Sequence, residues 1–190
     1  MLFRSLNPYA LLGGLTTLLL FTLHGAKFLG LKASGAVAER AHRYGSYLAP
    51  PTVVVAGGFL AWTLVEAADG GRGTFPMGAL IPVAAVAALA ALAVLPLLRA
   101  KRDGWAFVAT GATILTATLM LFMTLYPRVM PSSTPGAEGL TIDNASSTPT
   151  TLRVMTVVAL IFIPVILAYQ AWSYWVFRKR VTREQLSPAG

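Results

Sequence analysis

The sequence contains no cysteine, two histidines and seven acidic residues among 190. Without cysteine there is no disulfide, no thiol nucleophile, no iron–sulfur cluster and no thiolate-ligated haem. The few carboxylates lie among connectors and span ends, without the paired spacing of a di-metal helix bundle. Charge of either sign is scarce, at 12% of residues, about half the roughly 25% of a soluble domain. The balance is still basic, with 15 Lys and Arg against 7 Asp and Glu. In a soluble protein that would suggest nucleic acid. Here the cations stand between apolar runs, so membrane orientation accounts for them and nucleic acid is not an expected partner. The first segment, MLFRSLNPYALLGGL, runs on past a signal-peptide core. It shows no small-residue cleavage site before Lys27, so it reads as a membrane span.

What the chain does contain is long apolar runs. Hydrophobic residues make up 56%, with a mean hydropathy of +0.67, above the roughly 45–50% usual in soluble domains. Five runs reach the length that crosses a bilayer: about 8–31, 50–68, 79–98, 105–126 and 152–177. Residues 1–180 therefore read as an all-α integral membrane domain, and 181–190 as a cytoplasmic tail. Sheet is not expected, because strand edges find no partners in lipid. Between the runs lie a basic connector, KASGAVAERAHRYGSYLAP, a glycine-rich loop, DGGRGTFPMG, and the turn RAKRDG. Short connectors imply antiparallel neighbours.

Five spans place the termini on opposite sides. One side collects Lys27, Lys32, Arg40, Arg43, Arg99, Lys101, Arg102, Arg178, Lys179, Arg180 and Arg183. The other has only Arg4, Arg72, Arg128 and Arg153. The positive-inside rule puts the richer side, with the C-terminus, in the cytoplasm and the N-terminus outside. The loop from Pro127 to Thr151 is then extracytoplasmic. Its prolines, Pro127, Pro131, Pro135 and Pro149, are expected to stop helices. Ser132, Ser133, Asn144, Ser146 and Ser147 are expected to cap exposed backbone. The loop is expected to fold over the outer helix ends or against a partner. The sequon Asn144-Ala145-Ser146 carries no functional weight.

His24 is the histidine inside a span. Counting from Pro8, it lies roughly 24 Å along a core about 30 Å thick, near the cytoplasmic face. It is the candidate interface or pathway residue; the plainer reading is a ring bonded to a carbonyl or a neighbouring subunit. Lys27, on the same face, is expected to reach for the headgroups. Haem ligation within the chain fails on two counts. His42 falls in the connector. Met120 lies roughly 22 Å from the cytoplasmic face and His24 about 6 Å, so Met120 and Met123 read as core. Glu66, with Asp69 just beyond it, reads as an interfacial acid, a proton-relay role being the alternative, and residues 39–43 read as a solvated charged face. In the third span the alanines (Ala84, Ala85, Ala87, Ala88, Ala90, Ala91, Ala93) permit close helix approach or face lipid. Thr110, Thr113, Thr116 and Thr118 read as structural hydrogen bonders, and Pro164 as a kink. No catalytic or metal-binding residue is read from the sequence.

Several stretches together resemble subunit II of cytochrome bd-type quinol oxidases, in its C-terminal half. They are LHGAKFLGLKASG with ERAHR, GWAFVATG, LYPRVMPSS followed by LTIDNASSTPTTLRVM, and LIFIPVILAYQAWSYWVFRK. The resemblance implies one four-helix bundle plus a peripheral C-terminal helix. It implies a non-haem scaffold within a complex that oxidises quinol and reduces dioxygen to water. Haems b and d would sit in a haem-bearing subunit I, with no cofactor in this chain beyond a structural quinone or lipid. The N-terminal half of subunit II, small accessory subunits and the lipid bilayer would be its partners, in a bacterial cytoplasmic (inner) membrane. The family's proton-entry acids lie mostly in that other half, and none is carried over. The alternative is a small membrane transporter, or a scaffold subunit of another complex. Midplane transport sites usually bring broken helices and buried charges, of which only Pro164 gives a hint.

Overall fold

The structure, a computed structural model, describes residues 7–68, 75–130 and 139–178. Arg4, Asp69, Arg72, Pro131, Ser132, Ser133, Pro135 and the tail with Lys179, Arg180 and Arg183 lie outside the described residues. Five helices, each long and apolar enough to cross a bilayer, dominate. They are α1 (Pro8–Lys32), α2 (Ala36–Ala68), α3 (Met77–Arg99), α4 (Asp103–Leu125) and α5 (Pro149–Val176). The chain is an all-α membrane protein of a bundle plus one outlying helix. The first four helices form a ring, each against the next, with α4 closing on α1.

Small residues hold the ring together, as expected where lipid is as apolar as the side chains and close packing must drive association. Leu80, Ala84, Ala87, Ala91, Val94 and Leu98 form the buried stripe of α3. Ala85 and its neighbours on the far side stay exposed, so the alanine-rich span packs on one face and meets lipid on the other. Thr113 and Thr116 donate to the carbonyls of Ala109 (2.9 Å) and Ala112 (2.7 Å). Both threonines thus satisfy their hydroxyls within their own helix.

Helix α1 begins as the sequence suggests. Pro8 occupies its first turn, and Asn7 caps it by accepting from the Ala10 N–H at 2.6 Å. Helix α2 departs from the sequence reading. The connector residues after Gly35 are helical, and α2 runs unbroken through Pro50 and Pro51. Gly35, at φ +63°, makes the sharp turn that lets α2 start at Ala36. The buried positions Ala41, Gly45, Ala49, Thr52, Ala56, Phe59 and Thr63 form one continuous stripe across the proline pair.

The outer loop also departs from expectation. Arg128–Met130 and Leu140–Thr141 pair as a small antiparallel sheet beyond the helix ends, where water can satisfy its edges. Asn144 pins this hairpin instead of capping a helix: its Oδ1 accepts the Thr141 N–H at 2.6 Å. Thr148 is the actual cap of α5, and Pro149 starts that helix where it was expected to end one. The hairpin meets the helices only at the end of α4, so its described part does not lie over the bundle. Helix α5 has no buried residue and passes uninterrupted through Pro164. Among the described residues, Lys32 Nζ at the end of α1 donates to the Phe177 carbonyl just after α5 at 3.1 Å.

Candidate functional site

The polar side chains converge at the end of the bundle where α1 and α3 finish and α2 and α4 begin. On α1 the buried positions Thr16, Leu20, Leu23 and Lys27 follow a helical stripe, and the stripe carries Lys27 into the interior. Lys27 is 1% exposed. It does not reach outward to headgroups; its ammonium bonds Asp103 Oδ1 at 3.2 Å. Asp103, the first residue of α4, is one-quarter exposed and also meets His42 Nδ1 at 3.1 Å. One carboxylate thus ties α1 to α4 and α2 to α4. Its place in the first turn of α4 favours its negative charge. The third wall is Gly45 of α2. A Cβ there would stand 2.5 Å from Lys27 Cε and 2.7 Å from Nζ. Only a residue without a side chain leaves room for the lysine.

His24 lies one turn deeper. Its Nδ1 is 2.7 Å from Thr110 Oγ1, and its ring stacks on Phe107 at 4.3 Å. The Thr110 hydroxyl donates to the Phe107 carbonyl at 2.9 Å. Thr110 Oγ1 thus lies within bonding distance of both the His24 ring and a carbonyl of its own helix. The partner is therefore a hydroxyl of the same chain, not a carbonyl. Met120 packs with Leu60, Ala84 and Ala87, fully buried. It stands ten residues beyond Thr110 on α4, roughly 15 Å along the axis. The two histidines are each engaged by another side chain, and no cluster of three or more metal-ligating residues occurs among the described residues.

Two of the clefts that open on the bundle are built from described residues. One, of about 370 Å³, lies at the opposite end and is lined by Tyr9, Thr63, Glu66, Thr118 and Phe122 among others. There the Tyr9 hydroxyl meets Thr63 at 3.0 Å, and Glu66 accepts from Trp62 Nε1 at 3.2 Å as an exposed interfacial acid. The second, of about 300 Å³, lies between α2 and α3 beside His42.

Sequence reasoning placed His24 near one end of the bundle. It missed Asp103, Gly45 and the inward course of Lys27. The Thr16–Leu20–Leu23–Lys27 spacing was the available signal for the last. Asp103 had none, because a lone acid beside Lys101 and Arg102 reads as a turn residue.

The whole arrangement can be set beside known proteins. Residues 1–177 match the family model for cytochrome bd terminal oxidase subunit II. The chain is 36% identical over 180 residues to cytochrome bd ubiquinol oxidase subunit 2 of Bacillus subtilis, covering 95% of this chain and 52% of that protein. It is 31% identical over 210 residues to cytochrome bd-I ubiquinol oxidase subunit 2 of Escherichia coli, covering 97% and 55%. The chain spans about half the length of these curated relatives. The match extends from the N-terminal residues to the end of α5, through every element that builds the inner cluster, and the chain belongs to the cytochrome bd terminal oxidase subunit II family.

Proposed function

We propose that this chain is a non-haem scaffold subunit of a membrane complex that oxidises quinol and reduces dioxygen to water. The family match over residues 1–177 carries the reading. The inner cluster supports it: its charged groups are spent on joining helices. Redox chemistry is then the work of a haem-bearing subunit I. The exposed apolar surface of α5 suits lipid or a neighbouring subunit. The test is co-purification in mild detergent. A tagged form of this chain is expected to carry a haem-bearing subunit with a reducible Soret band, and His24→Ala is expected to leave that band in place. Solute flux by the chain alone in vesicles, with no haem protein retained, would overturn the reading.

The complex sits in a bacterial cytoplasmic membrane with the α1–α2 and α3–α4 turns inside. The asymmetry of cations supports this. A cysteine placed at Ser146 is expected to react with an impermeant thiol reagent in intact cells, and one at Ala100 only after lysis. The opposite pattern would invert the topology.

A further inference from the structure

The cleft between α2 and α3 has an internal order of its own. Helix α2 runs away from the basic end and α3 runs toward it, so residue number reads depth on both walls. At the mouth stand His42 and Ser46 of α2 with Arg99 and Lys101 at the end of α3. Deeper in stand Ala49 and Pro50 of α2 and Leu95 and Leu98 of α3. Each wall covers on the order of 10 Å of depth. No acid lines the cleft. Neither Arg99 nor Lys101 has an acidic partner among the described residues.

The backbone adds a second, separate observation. Helix α3 ends in the motif in which the Lys101 N–H bonds the Leu98 carbonyl (3.0 Å) and the Arg102 N–H bonds the Leu97 carbonyl (2.9 Å). The residue between cap and exit must take a left-handed conformation, and glycine usually fills that place. Here it is Lys101, at φ +53°. A lysine holds a strained position at the rim of a cleft with an unneutralised arginine beside it.

We propose that this cleft binds one anionic phospholipid. The phosphate lies between Arg99 and Lys101, and the start of an acyl chain lies against Pro50 and Leu95, over a floor made by the buried Ala49 and Leu98. A free phosphate would use the mouth and leave the apolar half without purpose; the ordered change from cationic to apolar with depth fits a lipid. Basic pockets between membrane helices bind such headgroups by the same physics.

The experiment is native mass spectrometry of the full chain, within whatever complex it purifies in, after delipidation and titration with phosphatidylglycerol or phosphatidylcholine. Two surface-near cations favour the anionic lipid by about 30-fold. Arg99→Gln with Lys101→Gln is expected to erase that preference, and Arg128→Gln at the other end of the bundle to leave it intact. Lys101→Gly separates binding from folding. It relieves the backbone and is expected to raise the melting temperature while lowering phosphatidylglycerol retention. Equal retention of the two lipids by the unaltered chain would overturn the proposal, as would a preference that survives both substitutions. Displacement of phosphatidylglycerol by millimolar inorganic phosphate would assign the mouth to a free anion instead.

Discussion

Asp103→Ala is expected to lower the stability of the bundle by about 3 kcal/mol, which thermal unfolding in mild detergent would register as a fall in Tm. The reason is what the substitution leaves behind. Lys27 is 1% exposed, and its bonded partner is Asp103 at 3.2 Å. Removing the carboxylate strands an ammonium in a low-dielectric interior, where an unpaired charge is far costlier than a missing pair. The estimate sits at the low end of the usual range because Asp103 is itself 25% exposed, and water can reach part of the gap. The asymmetry is the sharper expectation. Lys27→Met keeps most of the shape and removes the charge, while Asp103 retains His42 and its solvent contact. That variant is expected to stay within about 1 kcal/mol of the unaltered protein. Combining Lys27→Met with Asp103→Ala is expected to recover most of the single-variant loss. Equal losses for the two single variants would show that the pair is not an internal ion pair.

Gly45→Leu is expected to be comparably damaging, by about 1–3 kcal/mol, and Gly45→Ala to fall at the lower end of that range. Even a methyl group would meet the Lys27 tip at 2.5 and 2.7 Å. The tip is flexible and can retreat, but retreat takes the ammonium away from Asp103. Backbone propensity works the other way, since alanine is the better helix former. A loss for Gly45→Ala would therefore isolate the steric term. In the Lys27→Met background the alanine is expected to become neutral or stabilising. A loss that persists there would place the cost in the α1–α2 contact itself rather than in the lysine.

The helices were legible because length and hydropathy are enough to mark them. The start of α2 was not, although its cause lay in the open. A proline pair and a run of charges both argue for a loop. Against them stood the 41–45–49–52–56 spacing of small residues, which carries straight through Pro50. Close packing in a membrane depends on such a stripe more than on hydrophobicity, so a reading weighted toward hydropathy discounts it. Lys27 was misread for a related reason. Charge suggested the surface, while its spacing from Leu20 and Leu23 pointed inward. His24 falls within α1, about two turns before its end, yet its partner came from α4, and the pairing of α1 with α4 is a tertiary fact. The Asp103 cluster was invisible for the same reason, being assembled from three helices whose relative rotation no local pattern encodes.

The pairing of His24 with Thr110 has a consequence for how α1 and α4 can slide. Thr110 Oγ1 lies 2.7 Å from His24 Nδ1 and 2.9 Å from the Phe107 carbonyl, and the ring stacks on Phe107 at 4.3 Å. A shift of one residue along either axis, about 1.5 Å, would disturb the bond and the stack together. Asp103 holds Lys27 about one turn away, so the two helices are latched at two heights and resist a change of register.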